Sequence, residues 1–278
     1  MQKCGLRLAW CRIFLLSLHY LKNHQAVTAA LQKEERTVND LTMKYLFRLY
    51  QWLIAAPILL VVTILTAIVT VVGCLFSKSW GGYYPAKVWA CIFCWLLFVR
   101  VKVKGREKIN KKTSYVFVAN HQGAFDIFSI YGFLGHNFRW MMRKGLTNIP
   151  VIGQACQIAG HILVDHSSAA ALKKTMEDAE KRLADDMSLV VFPEGRRTDD
   201  GEMASFKSGA FRLAVEFNLP VVPIAINGSY RVMPRTTFNV TPGTITLTLH
   251  DPIMPGAEGH DQRKLMQQCY DTISQSLD

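Results

Sequence analysis

Two short blocks hold the residues of this 278-residue chain best suited to chemistry. The first, Asn120-His121-Gln122-Gly123-Ala124-Phe125-Asp126, follows an apolar run at 115–119 and leads into a helix-like segment. A histidine near its reference pKa of about 6.5 accepts a proton at neutral pH, and a nearby carboxylate fixes its tautomer and stabilises the imidazolium. His121 and Asp126 are therefore a candidate dyad, with Gly123 between them allowing the tight turn that would let them meet. The second block, Phe192-Pro193-Glu194-Gly195-Arg196-Arg197, closes another apolar run at 189–192. Arg196 offers a rigid fork of donors suited to phosphate, and Glu194 can hold that fork or a substrate hydroxyl. Downstream, Ser205-Phe206-Lys207-Ser208-Gly209 opens a helix whose first N–H groups, with Lys207, favour an anion. Taken singly, each block also fits a plainer reading: a surface histidine beside a helix-capping aspartate, a charged turn, a solvated lysine.

The apolar pattern sets out the elements that must position these residues. An uncharged stretch lies between Arg48 and Lys78, and within it residues 52–76 are apolar enough to cross a hydrocarbon core of roughly 30 Å. A second apolar run, 88–99, follows the loop Ser79-Trp80-Gly81-Gly82-Tyr83-Tyr84-Pro85 and is short for a full span. Two crossing helices satisfy this pattern, as does a hairpin in one leaflet with Trp80, Tyr83, Tyr84, Lys78 and Lys87 near the headgroups. Residues 43–99 are accordingly read as a membrane-embedded helical hairpin. Residues 1–42 resemble neither a clean signal peptide nor a span, and are expected to be a dispensable N-terminal extension.

From Val99 the period changes to two, with Val99, Val101 and Val103 alternating against Arg100, Lys102 and Lys104, as in a strand with one basic face. Short apolar strands are expected at 115–119, 138–142, 161–164, 189–192 and 221–226, with helices near 125–135, 149–159, 169–186 and 207–218 between them. Ser167 or Ser168 can cap the third of these helices. Residues 236–240 and 244–250 flank Pro242-Gly243 and read as a hairpin, and 260–276 as a closing helix. The alternation implies an α/β fold over residues 100–278, a mixed sheet with flanking helices.

An excess of 32 Lys and Arg over 21 Asp and Glu gives a net charge of +11, which calls for an anionic partner: nucleic acid, a membrane surface or a phosphorylated substrate. The chain has no recognised nucleic-acid-binding motif and no ordered row of aromatics for stacking, so no nucleic-acid partner is expected. Seven cysteines lack metal-type spacing; Cys91 and Cys94 form a CxxC inside an apolar run without a second ligand pair, so no metal is expected and the thiols are read as reduced.

Together the two blocks resemble the signature of the glycerolipid acyltransferases, specifically the 1-acylglycerol-3-phosphate acyltransferases, over about residues 99–230. That family's Asn-His-x4-Asp is matched by Asn120, His121 and Asp126, and its Phe-Pro-Glu-Gly-x-Arg by Phe192, Pro193, Glu194, Gly195 and Arg197, with Arg196 at the variable place. A further block, commonly Gly-x-Ile-Phe-Ile-Asp-Arg-like, appears as Gly160-His161-Ile162-Leu163-Val164-Asp165-His166, with His166 in place of the usual arginine; Val221-Val222-Pro223-Ile224 matches the proline-containing strand. Arg143 and Lys144 are further candidates to neutralise phosphate, and the resemblance favours Lys144.

What the resemblance implies is transfer of an acyl group from a thioester, acyl-CoA or acyl-carrier protein, to the sn-2 hydroxyl of lysophosphatidic acid, without a cofactor. His121 would be the general base and Asp126 its orienting partner. Asn120, Lys144, Glu194, Gly195, Arg196, Arg197 and Lys207 would serve the substrate. A cell-membrane location, the inner membrane in a Gram-negative bacterium, with the catalytic domain facing the cytoplasm, goes with such a donor. The absence of a GxSxG-type elbow argues against an acyl-enzyme route. Other readings are a different acceptor within the same family (glycerol-3-phosphate, a lyso-aminolipid or another lysophospholipid), a membrane-tethered protein that binds anionic polymers, and a noncatalytic scaffold.

Overall fold

The computed structural model describes residues 33, 37–165, 168–184, 187–256 and 262–277; most of the N-terminal extension, with Cys4, Cys11, His166 and Ser167, lies outside them. The chain divides into two compact units, Met1–Ile54 and Ala55–Asp278. In the first, the helical residues from Thr37 onward expose large apolar side chains such as Met43, Tyr45 and Leu49. Among the described residues one helix, Thr37–Phe76, is long and apolar enough to cross a membrane.

The second unit opens with α1 (Ala56–Phe76), a short turn of helix α2 (Lys78–Gly81) and α3 (Tyr84–Leu96). Pro85 lies in the first turn of α3, where its missing N–H leaves no helical bond unmade. Thirteen residues at 1.5 Å each give α3 a length of about 20 Å, less than a hydrocarbon core. Its aromatics instead pack on α4 (Phe125–Phe133), with Phe93 stacked on Phe128 at 4.4 Å and Trp89 beside it at 4.8 Å. Helices α1 to α3 fall in the same compact unit as the sheet, and residues 43–54 of the expected hairpin in the other.

Seven strands, β1 (Val99–Lys104), β2 (Val116–Ala119), β3 (Phe138–Arg143), β4 (Ile162–Val164), β5 (Ser188–Val191), β6 (Val221–Asn227) and β7 (Gly243–Leu249), form one sheet in the order β1-β7-β6-β2-β5-β3-β4. All neighbours are parallel except β6 and β7, so the sheet is mixed, as the alternation of elements implied. Helices α5 (Ile152–Ile158), α6 (Ala169–Ala184), α7 (Gly209–Glu216), α8 (Ser229–Val232) and α9 (Gln262–Ser274) complete the unit. Ser168 caps α6 by accepting from the Ala171 N–H at 3.1 Å.

β2 and β5 are buried along their whole length, which is why they read as unbroken apolar runs. Val116 and Val118 face a core shared with Phe211 of α7 and Leu265, Cys269 and Ile273 of α9. β1 and β7 alternate between buried and open positions because one of their faces meets solvent.

The hairpin expected across Pro242-Gly243 is absent. β7 has one edge paired with β1 and the other with β6, so no edge remains for residues 236–240. These follow a local path instead, with the Thr241 N–H donating to the Val232 carbonyl at 2.8 Å and the Asn239 N–H to Thr237 Oγ1 at 3.0 Å.

Gly81 lets the hairpin close: a Cβ there would lie 2.3 Å from the Cys74 nitrogen and 2.5 Å from the Gly73 carbonyl carbon. Gly81→Ala should therefore overpack the α1–α2 contact and cost about 1–3 kcal/mol, read as a lower thermal midpoint in detergent. Gly145→Ala, where a Cβ would meet nothing within 4 Å, should leave the midpoint unchanged.

Candidate active site

β2 and β5 run parallel and adjacent, with Val118 opposite Val191, so the two chemical blocks leave the sheet side by side at its carboxyl edge. Open parallel sheets bind ligands at this edge. Asp126 opens α4 and is fully buried. Its Oδ2 lies 2.8 Å from His121 Nδ1 and accepts the N–H groups of Gln122 at 2.8 Å and Gly123 at 2.9 Å. The aspartate thus holds both the imidazole and the turn that delivers it. Gly123 is needed for space, since a Cβ there would fall 2.5 Å from the Ser229 carbonyl oxygen.

The histidine ring is fixed on a second side. It stacks on Phe192 with centroids 3.9 Å apart and planes 7° from parallel, and Phe192 in turn stacks on Trp140 at 5.2 Å. Phe192 entered the sequence reading only as a motif letter; its place beside His121 follows from the β2–β5 register. With Nδ1 held by Asp126, Nε2 is the nitrogen left for chemistry, and His121 lines a cavity of ≈ 900 Å³.

Glu194 is buried and grips backbone on both sides. Its Oε1 accepts the His121 N–H at 2.6 Å, and its Oε2 accepts the Ala204 N–H at 2.8 Å. The His121 carbonyl accepts the Thr198 N–H at 3.1 Å, and Gln122 Nε2 donates to the Gly201 carbonyl at 2.7 Å. Loop 194–204 is therefore bonded directly to the main chain that carries the histidine. Burial raises the Glu194 carboxyl to about 7, outweighing the two N–H groups that favour its ionised form. Asn120, expected to serve the substrate, is fully buried: its amide donates to the Ile226 carbonyl at 3.0 Å and accepts the Ile226 N–H at 2.8 Å, carrying the β2–β6 ladder one rung further. Asn120 and Glu194 are thus engaged with backbone rather than presented to the cavity.

The cavity's basic lining consists of Arg143, Arg196, Arg197, Lys207, Arg212 and Arg235. Asp199 neutralises two of these, lying 3.6 Å from Arg196 and 3.1 Å from Arg235. Arg197 and Lys207 have no acidic partner among the described residues. Gly195, in the left-handed region at φ 76°, presses on Lys207, whose Nζ would lie 2.8 Å from a Cβ at that position. Lys144 is not part of the lining; it turns outward to pair with Asp165 at 2.8 Å, and Arg143 takes the cavity position. The apolar lining includes Ile127, Phe128, Leu146, Ile149, Ile152 and Met176, and α1 contributes Thr63, Thr66, Ala67 and Thr70. Among the described residues no group of three or more His, Cys, Asp or Glu side chains is arranged to hold a metal ion.

Residues 100–227 match the acyltransferase family model. This chain carries an acyltransferase domain. The chain is 31% identical over 202 residues to a chloroplastic 1-acyl-sn-glycerol-3-phosphate acyltransferase of Arabidopsis thaliana, covering 70% of this chain and 54% of that protein. It is 34% identical over 134 residues to the alpha 1-acyl-sn-glycerol-3-phosphate acyltransferase of Ovis aries, covering 48% of this chain and 47% of that one. The chain spans about half the length of these curated relatives. The crystal structure of the 1-acyl-sn-glycerophosphate acyltransferase PlsC from Thermotoga maritima shares the fold, with a TM-score of 0.69 at 24% identity over 84% of this chain and 96% of that one.

The Glu194 environment has a pH signature. A carboxyl whose pKa rises on folding adds stability below its unfolded pKa of about 4, and that contribution is lost as pH rises through about 7. The thermal midpoint of the wild type relative to Glu194→Gln should therefore fall between those two values. A difference that stays constant with pH would remove the shifted carboxyl.

Proposed function

We propose that the acyltransferase domain moves a fatty acyl group from a thioester to the sn-2 hydroxyl of 1-acyl-sn-glycerol-3-phosphate, giving phosphatidic acid. The observation carrying this reading is a histidine whose Nδ1 is held by a buried carboxylate, set in a cavity that combines a long apolar lining with unpaired cations. His121 Nε2 takes the proton of the acceptor hydroxyl as its oxygen attacks the thioester carbonyl, and Asp126 stabilises the imidazolium. The tetrahedral intermediate collapses, the carbon–sulfur bond breaks, and the proton returns from Nε2 to the departing thiolate. Phe192 stabilises the same imidazolium through its ring face. Arg197 and Lys207 suit the acceptor's phosphate, the guanidinium as a two-pronged donor and the ammonium as a point charge. The apolar lining suits acyl chain.

The hairpin associates the enzyme with a membrane, which suits an acceptor that resides in the bilayer. The catalytic domain is assigned to the cytoplasmic side, where acyl-CoA or acyl-carrier protein is delivered.

The assay is phosphatidic acid formation from lysophosphatidic acid, measured by mass spectrometry on the detergent-solubilised enzyme with each donor in turn. His121→Ala should reduce turnover by at least about a hundredfold while retaining acceptor binding; near-wild-type turnover would rule out His121 as the base. Wild-type activity confined to another lysolipid would replace the acceptor. Phe192→Leu, which keeps the bulk and loses the ring, should lower kcat about two- to thirtyfold with little change in the KM for acceptor. A purely steric role would leave kcat of Phe192→Leu near that of the wild type.

A further inference from the structure

We propose that the outward face of β1 is a docking surface for the anionic headgroups of a lipid bilayer. The inference rests on the membrane association of the hairpin, not on acyl transfer. Arg100, Lys102 and Lys104 are exposed along one side of β1, while Val99, Val101 and Val103 turn toward the domain. Alternate residues of a strand are about 6.8 Å apart, so the three cations form a row about 14 Å long. Across the sheet their register partners are Thr244, Thr246 and Thr248, which set hydroxyls rather than carboxylates beside them. None of the three forms an ion pair among the described residues; the neighbouring pair, Lys108 with Asp251, lies beyond the end of the strand.

β1 is an edge strand, and lysines on an edge discourage pairing with another sheet. Edge protection does not account for what precedes the row. Val88 and Trp95 of α3 are 59% and 76% exposed, and Phe98, two residues before Arg100 in the chain, is 61% exposed. Read along the chain, the surface passes from aliphatic to aromatic to cationic, the order in which a bilayer presents hydrocarbon, interface and phosphate. Arg100 is four residues beyond Leu96, the end of α3, and so no more than about 14 Å of chain from the hairpin. That reach lets the row lie within the roughly 8 Å over which a charged surface acts at physiological salt. Each cation so placed favours an anionic over a neutral surface about fivefold.

The test is amine labelling of the full-length protein with a membrane-impermeant reagent, read by mass spectrometry, in vesicles of phosphatidylcholine alone or with phosphatidylglycerol. Lys102 and Lys104 should label at least about threefold more slowly in the anionic vesicles, with the protection lost at high salt. Lys181 on α6 should label equally in both. The variant Arg100→Gln, Lys102→Gln, Lys104→Gln should keep wild-type activity in neutral detergent micelles and lose stimulation by phosphatidylglycerol. Equal labelling of Lys102 and Lys104 in the two vesicles would overturn the proposal and leave edge protection. Undiminished stimulation of the triple variant would also overturn it. So would protection that appears only when an acidic acyl-carrier protein is added to the solubilised enzyme, which would assign the face to a protein partner. Failure of the protein to float with either vesicle would instead remove the membrane association itself, while acyl transfer in detergent would be untouched.

Discussion

The parallel pairing of β2 with β5 is the constraint on which the site depends. With Val118 opposite Val191, the chain leaves both strands at one height, and Asn120-His121 and Phe192-Pro193-Glu194 emerge as neighbours although more than 70 residues separate them in sequence. From that single register follow the stacking of Phe192 on the His121 ring and the grip of Glu194 on the His121 N–H. A slip of one residue would reverse the faces of every side chain on one strand and separate these groups. The strands tolerate no such slip because each is buried on both faces.

Around this edge, several conspicuous polar residues serve as framework. Asn120 extends the β2–β6 ladder through its side chain, Asp126 fixes a turn as well as a ring, and Glu194 joins the histidine to the loop that carries Arg196 and Arg197. Buried polar groups bonded in this way favour one geometry, because breaking such a bond leaves a buried group unpaired and costs more than forming the bond gains. A histidine that must meet a hydroxyl within hydrogen-bonding distance benefits directly from such restraint.

The cavity joins two chemistries that seldom share one wall. Its apolar lining comes in part from α1, the same helix whose other positions are long and apolar enough for a membrane, and its basic lining comes from the loop and helix that follow β5. Asp199 lies beside Arg196 and Arg235, and Arg143, Arg197, Lys207 and Arg212 are the lining cations without an acidic partner among the described residues. Because α1 contributes to the wall, part of the apolar helix and the sheet's carboxyl edge line one cavity.

Much of this was legible in the sequence, where local physics decides. Hydrophobic period distinguished β1 from the buried strands, and the length of the uncharged stretch marked the membrane helix. The spacing of His121 and Asp126 fitted a tight turn that the structure bears out at 2.8 Å. Other features depended on which elements become neighbours. Residues 236–240 alternate like a strand yet form none, because both edges of β7 were already taken. The resemblance favoured Lys144 over its neighbour Arg143, yet the end of β3 turns Lys144 outward to Asp165 and Arg143 into the cavity. Phe192 carried no signal of its own, since a stacked pair is defined by two chain segments and composition describes only one at a time. The sequence by itself determined the elements and the reactive residue types, through periodicity and local turns. Tertiary structure alone decided which of those residues face one another, because register and sheet order are set by burial shared among distant segments.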